Sequence, residues 1–141
     1  MDIKKWFIGG ITGGILYFFL GWLVYGILLT DFMAKHPGLT GNIERAEADM
    51  LYLYLIIGNL ALGFLLAYIF VKSNTNSLTA GLVTGGVFGL LLSVSYDSMM
   101  YATTTIVSKT AMAADVAAMT VMSAIVGAIV GMVMGMGKKT A

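Results

Sequence analysis

Apolar positions fall into four long blocks, separated by short polar stretches, along the whole chain. The blocks run over about 6–30, 50–71, 78–101 and 111–136. A helix needs roughly 20 apolar residues to cross the hydrocarbon of a bilayer, at ~1.5 Å of rise per residue. Each block is that long. The pattern predicts an all-α fold, an integral membrane four-helix bundle within a single domain, with an outer loop over 31–49.

Composition points the same way. Of 141 residues, 59% are hydrophobic and 11% charged, where a soluble domain carries about 25% charged residues. A net charge of +1 with scattered basic residues offers nothing to nucleic acid. The chain has no cysteine, so neither a disulfide nor a thiolate metal site can form. Lys4 and Lys5 precede the first block as in a signal peptide, but the apolar stretch is far longer than a signal core and no small-residue cleavage site follows. It reads as a retained signal-anchor.

Lysines and arginines set the orientation. Lys4, Lys5, Lys72, Lys138 and Lys139 fall on one side, and Lys35, Arg45 and Lys109 on the other. The second side also collects Asp31, Glu44, Glu47, Asp49 and Asp115. The expectation is that both termini are cytoplasmic and the lipid bilayer is the first partner.

The chain weakly repeats itself. "TGG" stands at Thr12–Gly14 and at Thr84–Gly86, an offset of 72 that also places Gly63 opposite Gly135 and Tyr25 opposite Asp97. Real duplication would relate two hairpins by an axis along the membrane normal, a parallel repeat. Glycines recur at spacings of four: Gly9 and Gly13, Gly10 and Gly14, Gly81 and Gly85, and the row Gly127, Gly131, Gly135. Such rows let backbones approach, gaining the van der Waals contact that replaces hydrophobic drive in lipid. Packing inside one bundle is the simpler use of them. Reserving the fourth-block row for a second copy is the sharper one.

Asp97, between Tyr96 and Tyr101, closes the third block. A carboxylate facing lipid costs roughly 2.5–3.5 kcal/mol at mid-membrane on insertion scales, and less near the interface. Asp97 is therefore expected to face inward or to reach headgroup water, with Ser93 and Tyr101 four residues away on its own face. A hydrogen-bonded aspartate that ties helix ends together is the plainer reading, and a ligand, ion or proton site the sharper one. Asn59 lies midway along the second block and needs a hydrogen-bond partner there. A bond to another helix is the plain expectation, and the floor of a cavity whose mouth holds Asp97 is the alternative.

The outer loop holds His36 with Asp31, Glu44, Glu47 and Asp49, but none of the usual metal spacings. Thr40 or Asn42 is expected to cap a helix starting near Ile43, with the acidic residues in its first turns. Among the eleven methionines, Met132 and Met136 share a helix face while Met134 points elsewhere, so they read as apolar filler rather than a copper path. Trp6, Trp22, Tyr25, Tyr52 and Tyr54 suit membrane-interface anchoring. No nucleophile–histidine–acid set, no phosphate-cradling loop and no paired carboxylates within one block are present. Neither enzymatic chemistry nor a cofactor is expected.

The stretch "GLLLSVSYDSMMYAT" resembles the third-helix signature of an uncharacterised family of small four-span bacterial membrane proteins. Gly89, Tyr96, Asp97, Ala102 and Thr103 match it, while Ser93 and Met100 replace a tyrosine and an asparagine often found there. The resemblance implies four helices, a bacterial inner membrane and a functional Tyr96–Asp97 pair.

Two functions follow as expectations. The first is a structural or accessory subunit that packs on partners in a larger membrane complex through glycine-rich helix faces. The second is a homo-oligomeric transporter or channel for a small solute or ion, with an outward polar cavity lined by Asn59, Ser93, Tyr96, Asp97 and Tyr101.

Overall fold

The computed structural model describes residues 1–41 and 43–136. Its helices are α1 (Ile3–Leu23), continued by a π-helical turn at Val24–Leu28, α2 (Thr30–Lys35), α3 (Tyr52–Lys72), α4 (Leu78–Thr103) and α5 (Lys109–Gly135). Four segments are long and apolar enough to cross a membrane: Ile3–Leu28, α3, α4 and α5. The expected all-α four-helix bundle is what forms.

Side chains cap three of the long helices at their starts. Asp2 accepts from the Lys5 amide at 3.0 Å, Ser77 from Ala80 at 3.2 Å and Ser108 from Ala111 at 3.1 Å. Each satisfies one of the amides that a first turn leaves open.

The loop between the first two blocks departs from expectation. No α-helix begins at Ile43; only a short 3-10 turn forms at Glu47–Asp49. Thr40 caps no helix among the described residues; its hydroxyl donates to the Thr105 carbonyl at 3.4 Å. The alternative cap, Asn42, and the lysines Lys138 and Lys139 lie outside the described residues.

Helices pair as two antiparallel hairpins, α1 on α3 and α4 on α5, which meet mainly through α1 and α5. Inside the first, Gly10 lies against Phe64, Gly13 against Gly63 and Gly14 against Leu60. Inside the second, Gly81 faces Gly127 and Gly131, Gly85 faces Ser123 and Gly127, and Gly89 faces Met119 and Ser123. The glycine row of α5 therefore packs on α4 within the chain, as the simpler reading had it.

The two hairpins also answer the question of the repeat. Gly13 meets Gly63 as Gly85 meets Gly127, so α1 maps onto α4 at an offset of 72 while α3 maps onto α5 at 64. Gly135 is not the counterpart of Gly63, for it sits against the Asn76 carbonyl in the α3–α4 turn.

Tyr17, Leu66, Ala67, Phe70, Met122, Val126, Val130 and Met134 form the buried core where the hairpins join. Met134 is buried while Met132 and Met136 are exposed, as their spacing predicts. Trp6 is more than an interface anchor: its indole N–H donates to the Phe64 carbonyl at 3.0 Å and its ring lies 5.0 Å from that of Phe64.

Candidate functional site

Two facing rows of residues build the site. The buried face of α4 is Gly81, Gly85, Gly89, Ser93 and Asp97, one residue in four. The matching row of α5 is Gly131, Gly127, Ser123, Met119 and Asp115. Antiparallel pairing sets Gly81 on Gly127, Gly85 on Ser123 and Gly89 on Met119, and the same register brings the two carboxyl-bearing ends together. Asp97 is thus held inward by the small residues behind it. It is 7% exposed.

Asp115 faces the Asp97 carboxyl and also the phenol of Tyr25. Oδ2 of Asp97 is buried and has no hydrogen-bond partner among the described residues. A buried carboxylate oxygen carries a desolvation cost unless it is matched, and the Asp115 carboxyl is the group beside it.

Tyr25 arrives through the π-turn. The Leu29 amide donates to the Val24 carbonyl at 2.7 Å, five residues back, and the Thr30 hydroxyl donates to the Tyr25 carbonyl at 2.8 Å. One extra residue in the turn re-aims the side chains that follow, which is how π-turns serve functional sites.

Above the carboxyls lies a cavity of about 250 Å³. Its floor includes Asp97 and Asp115; its walls include Met33, Ile43, Tyr96, Ile106, Val107 and Ala111. Glu44 and His36 also line it, and no lysine or arginine does among the described residues. His36 places Nδ1 2.8 Å from the Phe32 carbonyl and its ring 4.4 Å from the Phe32 ring. No three acidic or histidine side chains converge as a metal set among the described residues.

The roof is a clasp between two loops. Pro37 pairs with Val107 in an antiparallel bridge. Ser108 donates to the His36 carbonyl at 2.6 Å while capping α5. Gly38 sits so close to the carbonyl of Thr105 that any side chain would strike it.

Of the five residues expected at a site, the structure brings Tyr96 and Asp97 to the cavity. Ser93 lies behind Asp97, buried, with its hydroxyl on the Gly89 carbonyl at 2.7 Å. Tyr101 is 45% exposed and is not among the lining residues. Asn59 is on α3, away from this cavity, and donates to the Leu55 carbonyl of its own helix at 2.7 Å. Its amide is satisfied locally, which corrects the expectation of a bond to another helix or a place on the cavity floor. Asp115 and Tyr25 complete the cluster instead. The spacing of four from Gly127 back through Ser123 and Met119 was the signal for Asp115; nothing in composition marks the π-turn that delivers Tyr25. No protein-family model, no curated protein and no solved structure matches this chain.

Proposed function

We propose that the chain is an integral membrane protein that binds a small solute in the cavity over Asp97, as the binding step of a transporter that works as a homo-oligomer. One observation carries the reading. Two carboxyls from facing helices, Asp97 and Asp115, lie together and line one cavity.

The glycine rows are taken up by contacts within the chain, which weighs against an accessory role that packs on partners through them. Below the site the Gly85–Gly127 contact closes the seam between α4 and α5. Passage therefore needs a second arrangement of the helices or a second copy. The lysine pattern supports an outward-facing mouth with both termini cytoplasmic, and the third-helix resemblance supports a bacterial inner membrane.

The test is thermal unfolding of the purified chain in detergent with a panel of small inorganic cations, amines, zwitterions and neutral solutes, followed by uptake of any protecting solute into proteoliposomes. Saturable protection and uptake, both lost in Asp97→Asn while that variant still folds, are expected. If no solute protects and none is taken up, the reading fails.

A second reading, the accessory subunit, has one observation of its own. Leu53, Tyr54, Leu55, Ile56 and Ile57 are all exposed, so α3 shows an apolar surface right round the helix at its loop end. Native mass spectrometry of gently extracted protein decides it: a stoichiometric complex with a larger protein supports it, and a homo-oligomer alone removes it.

A further inference from the structure

We infer that residues 30–41 form a lid over the cavity, hinged at the π-turn that follows α1 and latched to the connection between α4 and α5. The inference concerns access to the cavity and does not depend on which solute, if any, enters it.

The division of the cavity wall gives the first argument. Met33, Ala34, His36 and Gly38 come from the connection after α1, whereas Asp97, Val107, Ala111 and Asp115 come from the second hairpin. The two sides belong to different parts of the chain. Moving one away from the other therefore opens the cavity without disturbing the α4–α5 packing beneath it.

The bonds of the segment give the second. Inside it, His36 places Nδ1 2.8 Å from the Phe32 carbonyl and stacks its ring on Phe32, and the Gly41 amide donates to the Gly38 carbonyl at 3.1 Å. These make it one unit. Its outward ties are the Ser108 hydroxyl on the His36 carbonyl, the Thr40 hydroxyl on the Thr105 carbonyl and the Pro37–Val107 bridge. All three end on residues 105–108, so a single latch holds them.

Burial gives the third. Among the described residues none from 18 to 62 is buried, although Tyr17 and Gly63 on either side are. The segment puts nothing into the core, and stretches with few buried contacts are the ones that open locally. Its root is the π-turn, where the Leu29 amide reaches back to Val24 and the Thr30 hydroxyl to Tyr25. Hinges lie at such element ends, which absorb the backbone change.

The experiment uses engineered cysteines, since the chain has none. Pro37 and Val107 stand opposite each other in an antiparallel bridge, where Cα atoms lie about 4.5–5.5 Å apart, within the ~4.4–6.8 Å that a disulfide spans. Pro37→Cys and Val107→Cys are combined with Ala111→Cys on the opposite wall. Labelling of residue 111 by a bulky maleimide, read by peptide mass spectrometry in detergent, should be at least tenfold slower with the 37–107 pair oxidised than reduced. In Ala111→Cys alone, adding Gly38→Ala should speed labelling at least threefold, because its Cβ would strike the Thr105 carbonyl. Because these variants might alter folding, hydrogen exchange is also followed in the wild-type chain. Amides of residues 36–41 should exchange at least tenfold faster than those of residues 85–93 in α4.

Equal labelling in the oxidised and reduced chains overturns the lid, and a 37–107 pair that does not oxidise overturns the latch. Wild-type exchange as slow in residues 36–41 as in α4 overturns the inference as a whole. No solute enters any of these measurements, so their failure is distinct from failure of the solute-binding reading.

Discussion

The Tyr17 hydroxyl donates to Ser123 Oγ at 2.8 Å across the seam between the two hairpins, with both residues fully buried. Ser123 belongs to the α5 row that packs on α4, so this one bond links α1 to the second hairpin just where the glycines hold that hairpin together. Buried hydrogen bonds are worth about 1 kcal/mol net, and those between helices in membranes average ~0.6 kcal/mol. Tyr17→Phe and Ser123→Ala should each destabilise by about that much, and the double variant by less than the sum. A double-mutant cycle on detergent melting reads the coupling. A coupling of zero would mean that the bond contributes nothing beyond packing.

Glycine positions separate into those that touch backbone and those that do not. A Cβ at Gly85 would strike the Ser123 carbonyl, and one at Gly127 would strike the Gly81 carbonyl. Backbone cannot step aside as a side chain can, so Gly85→Ala and Gly127→Ala should each cost about 1–3 kcal/mol through overpacking. Among the described residues nothing lies within 4 Å of the would-be Cβ of Gly58. Gly58→Ala should raise stability by roughly 0.5–1 kcal/mol, because glycine is a poor helix former. Unfolding midpoints of the three variants check both signs at once.

How much of this could be read from residues alone differs from element to element. The four long helices follow from length and hydropathy, since a bilayer demands uninterrupted apolar runs. Asp97 was legible as an inward group because it sits four residues beyond Ser93 and eight beyond Gly89, on the face the glycines define. Asp115 is marked only by the same spacing of four carried on through Ser123 and Met119, beyond Gly127 where the glycines of that row stop. Asn59 misled for a physical reason: an amide within an apolar span must bond something, and the nearest acceptor was Leu55 on its own helix. The mismatch of offsets, 72 against 64, is the net of two differences: the connection 29–51 of the first hairpin is longer than the connection 104–108 of the second, while the helix arms between the paired glycines and those connections are longer in the second. A loop contact such as Ser108 to His36, 72 residues apart, leaves no local mark at all.

Ser108 holds the roof of the cavity and the start of α5 with one hydroxyl. It donates to His36 and accepts from Ala111. Replacing an N-cap serine with alanine costs ~1 kcal/mol, and the freed His36 carbonyl adds about as much again. Ser108→Ala should therefore destabilise by roughly 1–2 kcal/mol and should speed hydrogen exchange in residues 36–41 and 104–108. Gly38→Ala should open the same clasp from the other loop, by collision with Thr105. Thr40→Val should do little, since its bond to Thr105 is long at 3.4 Å. Equal exchange in all three variants and the parent chain would show that the loops are held by something else.

Under the proposed solute-binding role, the compartment that supplies the solute depends on which end of the bundle faces out. The chain has no cysteine, so single cysteines report position without background. Leu39, at the tip of the loop over the cavity, is 91% exposed. Ser73 is exposed in the turn between α3 and α4, at the opposite end. With Lys4, Lys5 and Lys72 held in the cytoplasm, a membrane-impermeant maleimide should label Leu39→Cys in intact cells and Ser73→Cys only after the membrane is opened. The reverse pattern would place the acidic cavity in the cytoplasm. Its solute would then be a cell constituent rather than one drawn from outside, and the surplus of acidic residues on the loop side would lie on the inner face. Labelling alone separates these two cases, because it depends on position in the membrane and not on whether the carboxyl pair is occupied.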